Sequence, residues 1–187
     1  MVELFLSYRT DDSVHATMAI AERLGAHFGR DHVFRDRDSL MLGMVYPRKI
    51  RRALERCDKV LAVLGPRWLE ARGRRRIDDE RDWVRTELRM AFERDIPVIP
   101  ILLDGTPLPA QDQLPADINL LSLSNFHEVR HQSLDADVRT LIEHLDPDGG
   151  AAGFRPATQN NVHNGRGNMF VNQGGNQTNN LNDRKSR

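Results

Sequence analysis

VELFLSYRTDD, residues 2–12, decides how the rest of the chain is read. Val2 to Leu6 is a short apolar run that breaks into polar Ser-Tyr-Arg-Thr-Asp-Asp, the pattern of a buried strand delivering a polar loop at its carboxyl end. Val14, Met18, Ala21, Leu24 and Phe28 then recur at helical spacing, and Gly29 stands where such a helix would close. Strand followed by amphipathic helix is half of a parallel crossover unit.

Further along the chain the alternation repeats. His32 to Phe34 reads as a strand, Pro47 to Cys57 as a helix with proline in its first turn, and Val60 to Leu64 as a strand. Arg81 to Arg94 reads as a helix with Val84, Leu88, Ala91 and Phe92 inward, followed by a strand from Ile96 to Leu102. Leu134, Val138, Leu141, Ile142 and Leu145 mark one face of a last helix, Leu134 to Leu145. Short apolar strands alternating with amphipathic helices predict an α/β fold with a parallel sheet covered on both faces. In such sheets ligands sit beyond the carboxyl ends of the strands, so the loops to watch are Ser7 to Asp12, Arg35 to Tyr46 and Gly65 to Asp82.

The composition narrows the function classes. The chain has 187 residues, 39% of them hydrophobic, enough for one ordinary core and an appendage. Lysine plus arginine (27) balance aspartate plus glutamate (27), so no overall field draws the chain to nucleic acid or to an anionic membrane. The basic cluster Arg72-Gly-Arg-Arg-Arg76 runs directly into Asp78-Asp-Glu80 without aromatic interleaving, which favours a solvated loop over a nucleic-acid site. The start of the chain lacks the pattern of a signal peptide, and the longest apolar runs are too short to span a bilayer, so a cytoplasmic protein is expected. Cys57, the single cysteine, stands among apolar and helix-forming residues and reads as a buried structural thiol. The histidines show no metal-ligand spacing, and no metal site is expected. No Gly-rich nucleotide fingerprint or nucleophile elbow occurs.

After residue 147 the composition changes: asparagine, glutamine and glycine dominate and large apolar residues nearly vanish. The expected organisation is a folded domain over 1–147 and a low-complexity, largely disordered tail over 148–187. Within the tail, Met169 to Val171 is a short apolar run in Asn/Gln/Gly context. It suits either an in-register amide zipper with Phe170 and Val171 at its core, around residues 160–180, or a flexible tail.

Taken together, FLSYRTDD, VFRDRDSLMLGMVYPRKIRRAL, VLAVLGPRWL, DWVRTELRMAF and IPVIPILLDG, in that order, resemble bacterial TIR (Toll/interleukin-1 receptor) domains over residues 2 to about 145. The resemblance implies a flavodoxin-like parallel five-stranded sheet. It implies that Arg35 to Tyr46 corresponds to the BB loop, with Gly43 and Tyr46 at matching places. Trp83-x-x-x-Glu87 resembles the motif of TIR domains that hydrolyse or cyclise NAD, which implies Glu87 as the catalytic glutamate. One departure is Thr10, where some NAD-cleaving relatives carry a second arginine. The tail resembles short amyloid signalling motifs found beside bacterial immune effectors.

The chemistry suits these residues. NAD carries a cationic pyridinium leaving group, so its bond to ribose can break without a proton donor, and one carboxylate suffices where ordinary glycoside hydrolysis uses two. Trp83 and Glu87, four apart on a helix, share a stripe; the indole can flank a ring while the carboxylate reaches the sugar. The alternative is packing for Trp83 and an ordinary surface position for Glu87. Tyr8 and Arg9 leave the first strand at the crevice mouth, where the guanidinium can grip a pyrophosphate or pair with Asp11 or Asp36. Arg35 and Tyr46 complete the expected substrate contacts. Met41 to Val45, with Leu42, Gly43 and Met44 central, suits contact with another subunit or a loop folded back on its own domain.

The resemblance implies an NAD glycohydrolase or cyclase, with NAD as substrate, no cofactor, activation by self-association and a role in bacterial anti-phage defence; an upstream sensor would act through the tail. A non-enzymatic TIR adaptor is the alternative. A nucleotide hydrolase of related topology would need further carboxylates at strand ends, and Asp104 is the clear extra candidate.

Overall fold

The computed structural model describes residues 2–35, 51–71 and 74–147. In chain order the elements are β1 (Leu4–Tyr8), α1 (Thr10–Phe28), β2 (Val33–Arg35), α2 (of which residues 51–54 are described) and β3 (Lys59–Leu64). They continue with the ribbon strands β4 (Glu70–Ala71) and β5 (Arg74–Arg75), then α3 (Trp83–Phe92), β6 (Val98–Leu103), β7 (His127–Val129) and α4 (Leu134–Leu145). The five-stranded sheet has the order β2-β1-β3-β6-β7, with every neighbouring pair parallel. Leaving out the two-residue antiparallel ribbon, this is the 2-1-3-4-5 winding of flavodoxin-like folds, with the reversal of strand order at β1 and β3.

Side-chain alternation sorts the core into two layers. Leu4, Leu6 and Tyr8 join Ile20, Leu24 and Phe28 of α1 and Val138, Leu141 and Leu145 of α4 on one face. Phe5, Ala62 and Leu64 join Leu54, Val84, Leu88 and Ala91 on the other. Each buried leucine, valine, isoleucine or phenylalanine side chain contributes about 1.5–3 kcal/mol by leaving water, which is what holds the helices to the two apolar faces of the sheet.

Most expected elements are present, with shifted ends. α1 begins at Thr10 and closes at Gly29, whose φ of 97° and N–H to the Gly25 carbonyl (3.1 Å) make a glycine cap. α4 has the expected bounds. β1, however, runs on through Ser7 and Tyr8, because both are buried: Tyr8 among the residues packed on α1, Ser7 by a partner on α3. The expected 81–94 helix contracts to Trp83–Phe92 because Asp82 caps it. β7 carries no periodic signal in the sequence; its three residues follow a series of 3-10 turns. Cys57 is buried, and burial, followed by the charge of Asp58, pushes its thiol up to about 11. Arg75 and Arg76 of the basic cluster pair with Asp78 and Asp11. Residues 36–50, 72–73 and 148–187 lie outside the described residues, and with them the BB-loop segment and the tail.

Candidate functional site

The site is organised by the N-terminus of α3. Asp82, extended at φ −64° and ψ 127°, places its carboxylate to accept the Arg85 N–H at 3.0 Å, while its carbonyl accepts the Thr86 hydroxyl at 2.9 Å. An aspartate at this position satisfies an orphan donor and complements the positive end of the helix. The cap fixes where α3 starts, and hence which residues face the sheet. Val84, Leu88 and Ala91 enter the core, and Glu87 lies on the same inward side, 1% exposed.

A carboxylate in such a place requires hydrogen-bonded company. Ser7, fully buried on β1, donates its hydroxyl to Glu87 Oε2 at 2.6 Å. Trp83, one turn earlier, is 39% exposed and stands at the rim where α3 begins. The start of α3 thus holds a dry, oriented carboxylate inside and an exposed aromatic ring at its rim.

Arg9 follows at the exit of β1. Its Nη1 and Nη2 donate to Asp82 Oδ2 and Oδ1 at 2.7 and 3.0 Å, and its Nε donates to the Trp68 carbonyl. The guanidinium stands 5.7 Å from the centroid of the Trp68 ring, and the two paired side chains are 1% and 2% exposed. Removing one partner of a buried ion pair strands the other charge, at a cost of about 3–5 kcal/mol.

At the β1–β3 switch point the first turn of α1 is tied to the loop after β3. Asp12 accepts the N–H groups of Gly65 (3.0 Å) and Arg67 (2.9 Å). A Cβ on Gly65 would stand 2.6 Å from that carboxylate, so this close approach requires glycine. Arg76 extends the network to Asp82 at 3.6 Å and to Asp11 at 3.4 Å.

The structure therefore divides the expected site residues. It brings Glu87, Trp83 and Arg9 to the α3 side of β1. Arg9 departs from expectation: its guanidinium is committed to Asp82, neither open to a pyrophosphate nor paired with Asp11. Tyr8 departs as well, since strand alternation turns it to the α1 face, away from Ser7 and Glu87. Arg35 lies at the β2 edge with Nη1 against Met18 Sδ of α1, again on the face opposite Glu87. Tyr46, Leu42, Gly43, Met44, Phe170 and Val171 lie outside the described residues. Asp104 does not join Glu87. It sits at φ 48° in the turn after β6, and the backbone N–H of His131 (2.8 Å) with its ring (2.9 Å) holds the carboxyl below its usual range.

Sequence reasoning passed over Ser7 and Asp82. A signal existed for each: Ser7 shares the strand face of Phe5, and Asp82 immediately precedes the helix as a cap residue does.

A cavity of about 350 Å³, lined among others by Gly65, Pro66, Trp68, Thr106, Pro107 and Gln113, opens beyond β3 and β6; one of about 550 Å³ runs along α1 and β2. Glu87 lines neither of these. Among the described residues, no group of three or more His, Cys, Asp or Glu is placed to hold a metal, and no helix is long and apolar enough to cross a membrane.

Residues 4–142 match the family model of the TIR domain, and the chain belongs to that family. Among its relatives is the protein named NAD(+) hydrolase tir-1 of Caenorhabditis elegans, 26% identical over 149 residues, which cover 77% of this chain and 14% of that protein. The chain thus spans about a seventh of the length of that relative. Among solved structures, the TIR domains of the activated Roq1 resistosome, which directly recognises the pathogen effector XopQ, share the fold. Their TM-score is 0.58 at 13% identity, covering 78% of this chain and 99% of that one.

Proposed function

We propose that this domain cleaves the bond between nicotinamide and ribose in NAD, with Glu87 as the carboxylate that stabilises the transition state. One observation carries the reading: the Trp-x-x-x-Glu glutamate is not a surface helix residue but a buried group oriented by Ser7 at 2.6 Å. The similarity to a named NAD(+) hydrolase supports it.

In the proposed reaction the C1′–N bond stretches and its electron pair leaves with neutral nicotinamide, so positive charge builds on the ribose ring. Glu87 accepts hydrogen bonds from ribose hydroxyls and opposes that charge where water is scarce. Trp83 flanks the departing pyridinium, a contact worth about 0.5–2 kcal/mol. Water then adds at C1′ and releases a proton, or a hydroxyl or ring nitrogen of the same molecule adds to close a cyclic product. NAD is substrate here and no cofactor takes part. Self-association through Leu42, Gly43 and Met44, raised further by tail contacts at Phe170 and Val171, would bring the chains together, and a bacterial defence role follows the resemblance. The experiment is nicotinamide release from NAD by concentrated full-length protein, wild type against Glu87→Ala: release by wild type alone supports the assignment, and equal release rejects it.

The depth of Glu87 favours a second reading. At 1% exposure the carboxylate also serves to fasten α3 to β1, as it would in an adaptor that only assembles with other TIR domains. An adaptor releases no nicotinamide at any protein concentration, yet still self-associates.

A further inference from the structure

The Ser7–Glu87 and Arg9–Asp82 contacts form two rungs of one ladder. Ser7 and Arg9 are two residues apart in extended backbone (Arg9 φ −98°, ψ 124°), so they project to the same side and stand about 6.6 Å apart. Asp82 and Glu87 are five residues apart along α3, a rise of about 7.5 Å. Because α3 begins at the carboxyl edge of the sheet and runs back along β1, the two spacings coincide closely enough for both rungs to close together. The outer rung is the fork-to-fork ion pair, at 2.7 and 3.0 Å; the inner is the serine hydroxyl on the glutamate, at 2.6 Å.

We infer that Arg9 and Asp82 are positioning residues for Glu87: the buried pair sets the rotation and register of α3, so Arg9 serves the reaction through the glutamate and does not hold the phosphates of the dinucleotide. This rests on the reading of Glu87 as the reacting carboxylate. A turn of α3 by one residue would swing Glu87 through about 100° and take it out of reach of Ser7. Asp82 is suited to prevent that, since the same carboxylate caps the helix and grips the strand. A phosphate arriving at Arg9 would have to displace Asp82 and leave that carboxylate buried beside a second anion. Meanwhile Nε of Arg9 remains tied to the Trp68 carbonyl.

Two conservative substitutions separate the possibilities. Asp82→Asn keeps a good cap but removes the charge opposite the guanidinium. Arg9→Lys keeps a cation but loses the planar fork. The full chain is followed by Michaelis kinetics of nicotinamide release and by hydrogen exchange of amides 83–88. Misplacement of Glu87 is expected to lower kcat about 10- to 100-fold in each variant. KM should stay within about twofold, since substrate binding is not what the pair supplies. Exchange at 83–88 should quicken, and the double variant should be no worse than the weaker single. A rise in KM with kcat kept in Arg9→Lys, with Asp82→Asn unaffected, overturns the inference in favour of a phosphate-binding arginine, and so do additive losses in the double variant. If Arg9→Lys does not fold, Asp82→Asn alone decides between the two patterns. Should wild type and Glu87→Gln release nicotinamide equally, the proposed reaction fails, while exchange still reads the pair: unchanged protection at 83–88 in both variants then overturns the positioning role by itself.

Discussion

Ser7 and Glu87, 80 positions apart in the chain, meet through a 2.6 Å hydrogen bond beneath the carboxyl edge of the sheet. The contact joins the first strand to the helix that follows the third, and it turns a helix glutamate from a solvated side chain into a fixed interior acid. Its consequences are measurable with and without substrate.

Replacing Ser7 by alanine removes the donor and leaves a buried carboxylate with one hydrogen bond fewer. The expected cost in stability is about 1–3 kcal/mol, read as a lowered Tm. Nicotinamide release should fall as well, through kcat, because the carboxylate loses its anchor. A Ser7→Ala protein that melts and turns over like wild type contradicts the role given to this bond.

Gly65→Ala tests the switch-point tie. The added Cβ would lie 2.6 Å from Asp12 Oδ2, so either the Asp12 bonds to Gly65 and Arg67 break or the loop shifts. Destabilisation of about 1–3 kcal/mol is expected in chemical denaturation. Asp12→Ala should partly relieve the strain, so that the double variant loses less than the sum of the two singles.

The acid limit of stability has an identifiable contributor in Asp137. Arg130 pairs with it at 2.8 Å, the Arg130 N–H and the Ser133 hydroxyl add further bonds, and its carboxyl lies well below the usual range, chiefly through Arg130. A depressed folded-state pKa stabilises the fold above the unfolded value, about 3.9. That contribution is lost as pH falls below about 4 and on through the folded value. Asp137→Asn should therefore lower Tm at neutral pH and flatten its fall at acid pH. Parallel Tm-against-pH curves for the two proteins would exclude this source.

Cys57 should be inert in the folded protein. With its thiol raised to about 11 and its side chain buried, labelling by a thiol reagent at pH 7.5 should be far slower than in denaturant. Equal rates would show that the β3 entry opens readily.

Much of the fold was legible because its cause is local. The apolar spacing of Val14 to Phe28 and Leu134 to Leu145 reports helices that bury one stripe, and α1 and α4 appear there. The end of β1 was less legible. Ser7 and Tyr8 resemble a loop until their burial partners, one on α3 and one in the α1 layer, are known. Three-residue β7 carries too few positions for any period to show.

The site divides by the same rule. Glu87 and Trp83 were found through their four-residue spacing and the order of the surrounding motifs. Arg9 was expected to meet a ligand because its partner, Asp82, is 73 residues away in sequence and no local pattern announces the pairing. Tyr8 and Arg35 were grouped with Glu87 by their nearness to strand ends, but a strand's two-residue period decides the face, and it sends both to the α1 side.

The proposed chemistry turns on the charge at position 87. Glutamine keeps the size of the side chain and an oxygen to accept the Ser7 hydroxyl, so Glu87→Gln preserves the fold while removing the negative charge. With nicotinamide release from NAD followed at a protein concentration where wild type is active, the variant should lose at least about 10²-fold in kcat at unchanged Tm. Turnover of Glu87→Gln equal to wild type would remove Glu87 from the reaction.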